Sequence, residues 1–130
     1  MSGSSDTRPT VAVIGASRDR SRFGNISVRA HLQQGYRVFP INPNATEIEG
    51  QPAYASVTDL PVQQLDRITV YVPPETGIDV LDEIAEFDAD EIWFNPGSAD
   101  TDLRARAAEL GLEIIEACSI VDIGISPGSV

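Results

Sequence analysis

The stretch VAVIGASRDRSRFGN (residues 11–25) decides the fold that the sequence predicts. It starts as a short β-branched apolar run and reaches Gly15 before a polar loop. Such a run is typical of a strand buried on both faces of a parallel sheet. The loop leads into a predicted helix from about Asn25, a plausible N-cap, to Gln34, with Gly35 as its stop. The stretch therefore predicts a strand–loop–helix unit.

The same alternation continues along the chain. Further strands are predicted at residues 36–42, 66–72, 91–95 and 112–117, with helices after the third and fourth strands. Alternating strands and helices predict a parallel sheet with helices on both faces. We therefore predict an α/β fold, a single Rossmann-like domain over residues 10–130, with five strands in the order 3-2-1-4-5. A flavodoxin-like order 2-1-3-4-5 is the alternative, and residues 1–9 are predicted to be a flexible tail.

Composition excludes several functions. The formal net charge is −11, which disfavours nucleic acid and anionic membranes as partners. All nine basic residues are arginine, so Walker A, Schiff-base and receiver-domain lysines are excluded. The chain has no apolar run of ~18 residues and no apolar leader, so we expect a cytoplasmic protein. A single cysteine, Cys118, supports neither a disulfide framework nor a cysteine zinc site, and no metal site is predicted.

The loop after Gly15 concentrates positive charge in an acidic protein. Three arginines share it: Arg18, Arg20 and Arg22. A strand-to-helix loop exposes backbone N–H groups at a helix N-terminus, and guanidinium groups bind phosphate in a bidentate manner. Only one glycine of the G-x-G-x-x-G dinucleotide fingerprint is present, so the loop predicts a phosphate site of another kind. A plain tight turn with solvated arginines is the competing interpretation.

Two other strand ends support this interpretation. Segment PINPN (residues 40–44) lacks the acidic residue that would hold the ribose hydroxyls of NAD, and Asn42 with Pro43 can form an uncharged shelf for adenosine. A 3′-phosphorylated ribose would suit a nearby arginine better than an acid. Segment YVPPE (residues 71–75) ends the third strand in a stiff apolar wall.

Together these segments resemble the coenzyme A-binding domain family, which includes the N-terminal domain of the succinyl-CoA ligase alpha subunit and small stand-alone bacterial proteins. The resemblance covers about residues 10–121 and includes GYRVFPINPN (35–44) and EIWFNPGS (91–98). It implies a Rossmann-like domain that holds coenzyme A in a cleft. Many stand-alone members carry a basic pair where this chain has Pro73 and Pro74.

The resemblance also assigns the cleft residues. The CoA diphosphate would lie on the first loop, formed by Gly15, Ala16, Ser17, Arg18, Arg20 and Arg22. The nucleotide end would contact Asn42 and Pro43. Val72, Pro73 and Pro74 would form the third-strand edge, and Asn95, Pro96 and Gly97 would border the pantetheine path.

No catalytic set is predicted. His31 is expected to be structural or solvent-facing and Cys118 a buried inert thiol, with a mixed disulfide to CoA as the alternative. The acidic side chains of the second predicted helix are expected to form a solvated face: Asp79, Asp82, Glu83 and Glu86. We predict a non-catalytic CoA or acyl-CoA binding protein. Three alternative functions stay open: an NAD(P)-binding Rossmann protein, a small subunit of an acyl-CoA ligase, and an interaction protein with a vestigial cleft. The partner could be a second copy of the chain or a ligase-type subunit.

Overall fold

The computed structural model describes residues 6–130, so the predicted flexible tail lies partly outside the described residues. The elements in chain order are β1 (Thr10–Ile14), α1 (Phe23–Gln33), β2 (Arg37–Ile41), β3 (Glu47–Ile48), β4 (Gln51–Pro52), β5 (Gln64–Val70), α2 (Pro74–Ile84), β6 (Asp88–Phe94), α3 (Thr101–Glu109), β7 (Ile115–Glu116) and α4 (Ser119–Asp122). In this part of the chain, no helix is long and apolar enough to cross a membrane.

Five strands form one parallel sheet in the order β2-β1-β5-β6-β7. The predicted α/β class with a five-stranded Rossmann-like sheet is confirmed. The predicted order 3-2-1-4-5 is wrong, because β5 pairs with β1 and not with β2, with Val11 opposite Arg67. Counted along the chain, the five sheet strands have the alternative order 2-1-3-4-5. The two short strands β3 and β4 form a separate antiparallel hairpin.

The position of β2 at the sheet edge has a physical cause in Pro40. On the outer side of β2, Tyr54 N donates to the carbonyl oxygen of Pro40 (3.0 Å) and Asn42 N donates to that of Tyr54 (2.8 Å). The missing N–H of Pro40 therefore faces this edge, where no neighbouring strand requires it. An interior position for β2, as in the order 3-2-1-4-5, would need that donor.

Side chains of β1 alternate between two hydrophobic cores, as a strand with helices on both sides requires. Val11 and Val13 pack in a core with Val28 of α1. Ala12 and Ile14 belong to the larger core, which includes Leu81 of α2 and Leu103 of α3. The prediction of helices on both faces is confirmed. This arrangement brings the carboxyl ends of β1, β5 and β6 to one edge of the sheet.

Candidate functional site at the carboxyl edge of the sheet

Two glycines close the loop between β1 and α1. Gly24, in the first turn of α1, lies so near Gly15 that a Cβ on Gly24 would overlap the Gly15 carbonyl oxygen and lie 2.9 Å from its carbonyl carbon. Gly15 has a φ of +89°, and a Cβ there would lie 3.2 Å from Val72 Cγ1. The helix N-terminus is thereby held against the end of β1. Gly24 was not among the residues predicted for the site, although its glycine identity was the available signal.

Two buried or half-buried asparagine side chains hold the loop in place. Asn25, predicted as a helix N-cap, lies inside α1 and is fully buried. Its Nδ2 donates to the carbonyl oxygen of Ser17 (2.8 Å) and to Glu49 Oε2 (3.1 Å). Asn42 Nδ2 donates to the carbonyl oxygen of Ala16 (2.8 Å). The predicted nucleotide-end residue Asn42 thus also fixes the first loop.

The N-terminus of α1 offers donors to the cleft. Arg22 occupies the N-cap position with no side-chain cap, and the first turn has no acidic residue. The first turn of a helix leaves backbone N–H groups without intrahelical acceptors and carries partial positive charge. This edge of the sheet is therefore suited to an anion.

The three arginines of the loop differ in their surroundings. Arg22 lines both cavities described below and forms one loose ion pair, 3.7 Å from Nε to Asp19 Oδ2. Hydrogen bonds from Ser21 lower the pKa of Asp19, whose carboxylate is already partnered. Arg20 turns to Glu49 (3.5 Å), and exposed Arg18 forms no ion pair within residues 6–130. Arg22 is therefore the cation that faces the cleft.

A first cavity of about 540 Å³ lies between the loop and the ends of β5 and β6. Its walls are mainly carbon. They are formed by Gly15, Arg22, Phe23, Gly24, Tyr71, Val72, Pro73, Asn95, Pro96, Gly97, Ser98 and Cys118. Phe23 lines this cavity and is 59% exposed, so its ring offers apolar surface to a ligand.

The Asn95 side chain is committed to a buried network beneath this cavity. Its Nδ2 donates to Thr69 Oγ1 (2.6 Å) and to the carbonyl oxygen of Val70 (2.9 Å). Its Oδ1 accepts from the backbone N–H (2.9 Å) and hydroxyl (3.0 Å) of Ser119. The Tyr71 hydroxyl contacts the Ser119 hydroxyl at 3.1 Å, and burial raises the pKa of Tyr71. Asn95 therefore positions the strand ends and has no free hydrogen-bonding capacity for a ligand.

A second cavity of about 580 Å³ continues from the first across the ends of β1 and β2. The two share Gly15, Arg22 and Val72, so they form one cleft. The remaining lining residues are Ile14, Ala16, Ser17, Ile41, Asn42, Pro43, Ala55, Thr76, Asp79, Val80 and Glu83.

Two acidic side chains of α2, Asp79 and Glu83, line this second cavity, which the sequence did not predict. The expected solvated face is seen for Asp79, Asp82 and Glu86, which are exposed, but Glu83 is half-buried. The spacing of four residues brings both carboxylates to the same side of α2. Glu83 accepts a 2.6 Å hydrogen bond from Ser56 Oγ. Asp82 points elsewhere and pairs with Arg106 at 2.6 Å.

Most residues predicted for the site therefore come together in the cleft. These are Gly15, Ala16, Ser17, Arg22, Asn42, Pro43, Val72, Pro73, Asn95, Pro96 and Gly97. The exceptions are Arg18, Arg20 and Pro74. Pro74 is the first residue of α2, where its missing N–H and fixed φ suit a helix start.

His31 and Trp93 lie in the protein interior, whereas Cys118 lies on the cleft. His31 is fully buried and lines neither cavity, and burial lowers its pKa to about 4. Trp93 is buried under the Arg67 guanidinium, 4.9 Å from the ring centroid. Cys118 is half-buried and lines the first cavity, so the expectation that its thiol is buried is wrong. No cluster of potential metal ligands occurs between residues 6 and 130.

The fold and the cleft define a Rossmann-like domain with an anion-suited groove at the carboxyl edge of its sheet, the position where open α/β sheets bind ligands. A model of the CoA binding domain family matches residues 9–124. The chain belongs to the CoA binding domain family.

Several relatives are small proteins of similar size. A conserved hypothetical protein from Pyrococcus furiosus has a TM-score of 0.78 and 35% identity, covering 88% of this chain and 98% of that one. A Thermus thermophilus structure has a TM-score of 0.79 and 31% identity, covering 88% and 87%. The uncharacterized protein YneT of Bacillus subtilis is 27% identical over 105 residues, covering 81% of this chain and 77% of YneT.

The chain is also similar to part of a much larger enzyme. The ADP-forming acetate–CoA ligase II of Archaeoglobus fulgidus is 35% identical over 79 residues, which is 59% of this chain and 12% of the ligase. The chain thus spans a small fraction of the length of this relative.

Proposed function

We propose that the protein binds coenzyme A or an acyl-CoA without transforming it. The observation that carries the proposal is the continuity of the cleft, since Gly15, Arg22 and Val72 border both cavities. A diphosphate at this junction would meet the α1 N-terminus and the Arg22 guanidinium. The adenosine would then extend over Asn42 and Pro43, and the pantetheine arm would extend along Pro96 and Gly97.

The character of the first cavity supports an extended, mostly apolar arm. The polar side chains around it are used within the protein: Asn95 and Tyr71 by the Ser119 network, and Ser98 by the Asn95 carbonyl oxygen (2.6 Å). Apart from Arg22 and Cys118, the wall that remains is apolar side chain and backbone, including Phe23, Val72 and Pro73. Such a wall suits the carbon chain of pantetheine and a thioester acyl group.

Binding without catalysis is supported by the positions of His31 and Cys118. His31 would be the usual general base, but it is buried outside the cleft with a pKa of about 4. Cys118 borders the first cavity, but no histidine lines that cavity to activate the thiol, and the Asn95 side chain, which also lines it, is fully hydrogen-bonded within the protein.

Isothermal titration calorimetry with CoA, acetyl-CoA and NAD tests the proposal. We expect one-to-one binding of CoA and acetyl-CoA, and weaker or no binding of NAD. Binding of NAD without CoA would contradict it and favour the dinucleotide-binding alternative. For variants of the loop arginines, Arg104→Gln is a suitable control, because Arg104 pairs with Glu116 (2.8 Å) and borders neither cavity.

Similarity to the ligases supports a second candidate, a ligase-type subunit that acts only with a partner. The Pyrococcus furiosus protein named acetate–CoA ligase II subunit alpha is 34% identical over 77 residues, and the chain spans 17% of it. Size-exclusion chromatography with light scattering, on protein purified from its native source, distinguishes this candidate. A stable hetero-complex that forms or consumes acyl-CoA in an ADP-dependent reaction would favour the subunit role.

A further inference from the structure

The charge of the second cavity does not match a phosphorylated ribose. Arg22 supplies one positive charge at its junction with the first cavity, whereas Asp79 and Glu83 supply two negative charges from α2. Asp79 is exposed and forms no ion pair within the described chain. The nucleotide end of the cleft is therefore net negative, the opposite of what a dianionic 3′-phosphate requires.

Carboxylates accept hydrogen bonds and cannot donate them when ionised. The ribose of dephospho-CoA offers both its 2′- and 3′-hydroxyls as donors, whereas in CoA only the 2′-hydroxyl remains a donor and the 3′-phosphate adds acceptors and negative charge. Glu83 is held by the Ser56 hydroxyl, so Asp79, one helical turn earlier, is the carboxylate free to accept from a ribose.

We propose that Asp79 makes the nucleotide end of the cleft select an adenosine with an unphosphorylated ribose, so that dephospho-CoA is bound at least as well as CoA. This inference rests on the proposed function and reverses one expectation from the sequence, that an arginine would favour the 3′-phosphate there. Arg22 instead lies at the diphosphate junction, and the two remaining loop arginines border neither cavity.

The test is calorimetric titration of wild type, Asp79→Asn and Glu86→Gln with CoA and dephospho-CoA at low and high salt. The Glu86→Gln control removes the same charge from an exposed position outside both cavities. We expect wild type to bind dephospho-CoA as tightly as CoA or more tightly. Asp79→Asn should shift the affinity ratio toward CoA by roughly three- to tenfold at low salt and by less at high salt, because salt screens the repulsion.

Two results would overturn the inference. One is CoA binding to wild type more than threefold tighter than dephospho-CoA. The other is an affinity ratio in Asp79→Asn that stays equal to that of wild type and Glu86→Gln. Failure of both ligands to bind wild type would instead overturn the proposed function, so the two failures are distinguishable.

Discussion

Gly24 lies directly against the carbonyl group of Gly15, and no side chain fits between them. This contact joins the first turn of α1 to the end of β1, and both glycines line the first cavity. Any β-carbon at position 24 must push the helix N-terminus away from the loop, because the opposing atoms are backbone.

Gly24→Ala should therefore destabilise the protein by about 1–3 kcal/mol, as overpacking typically does, and weaken CoA binding. Gly128→Ala is the matched control, since a Cβ there meets open space. Urea denaturation followed by circular dichroism measures the free energy of unfolding. Equal stability of the two variants would show that the loop does not need the glycine contact.

Arg22 and Arg18 should differ sharply in their effect on ligand binding. Arg22→Gln removes the cation that borders both cavities and should weaken CoA binding by about ten- to a hundredfold, if one or more charged hydrogen bonds to phosphate are lost. Arg18→Gln should have a small effect, since Arg18 borders neither cavity. Titration calorimetry of both variants checks this. A larger loss for Arg18→Gln would place the phosphate elsewhere.

Asn95→Asp should destabilise the fold although it is nearly isosteric. The carboxylate would be unable to donate to Thr69 Oγ1 and would face the Val70 carbonyl oxygen in a buried site. We expect a loss of at least about 2 kcal/mol at neutral pH, recovered in part as pH falls and the acid is protonated. Asn44→Asp, at an exposed position, is the control. Chemical denaturation at two pH values would contradict the role if both variants behaved alike.

His31 should make stability depend on pH. Burial lowers its native pKa from 6.5 to about 4, and Nδ1 donates to the Ser27 carbonyl oxygen at 2.8 Å. Between these two values the unfolded chain binds a proton that the native protein does not. The free energy of unfolding should therefore fall as pH decreases from about 6.5 to about 4, by about 3 kcal/mol in total.

The variant His31→Gln keeps a donor and does not titrate, so its stability should vary less with pH over that window. Urea midpoints measured for both proteins between pH 7 and pH 4.5 provide the comparison. Parallel curves would show that another group controls the acid sensitivity.

Much of the fold was predictable from the sequence because buried parallel strands and amphipathic helices leave clear periodic patterns. The runs around Val11–Ile14 and Ile68–Val70 were found for this reason. Strand order was predicted wrongly, since periodicity says little about which strands are neighbours. Pro40 carried the relevant information, because its missing N–H suits an edge strand. Of the predicted last strand, only Ile115–Glu116 pairs with β6. A short apolar run does not show how many of its residues join the sheet.

The site was predictable where backbone chemistry decides it and not where tertiary packing does. Gly15 and Asn42 were recognised from their positions at strand ends. The position of Asp79 on the second cavity was not predicted, because an acidic residue on a helix looks the same in sequence whether it faces open solvent or a cavity. The fully used hydrogen bonds of Asn95 depend on Ser119, which is far away in the chain. Spacing alone could not indicate that contact.

Amide chemical shifts in a ¹⁵N-labelled sample titrated with CoA locate the ligand on the backbone, and so test whether CoA occupies the cleft. We expect the largest shifts at Gly15, Ser17, Gly24 and Gly97, with little change at Gly111 and Gly128. Shifts confined to the opposite edge of the sheet, or none at saturating CoA, would contradict it.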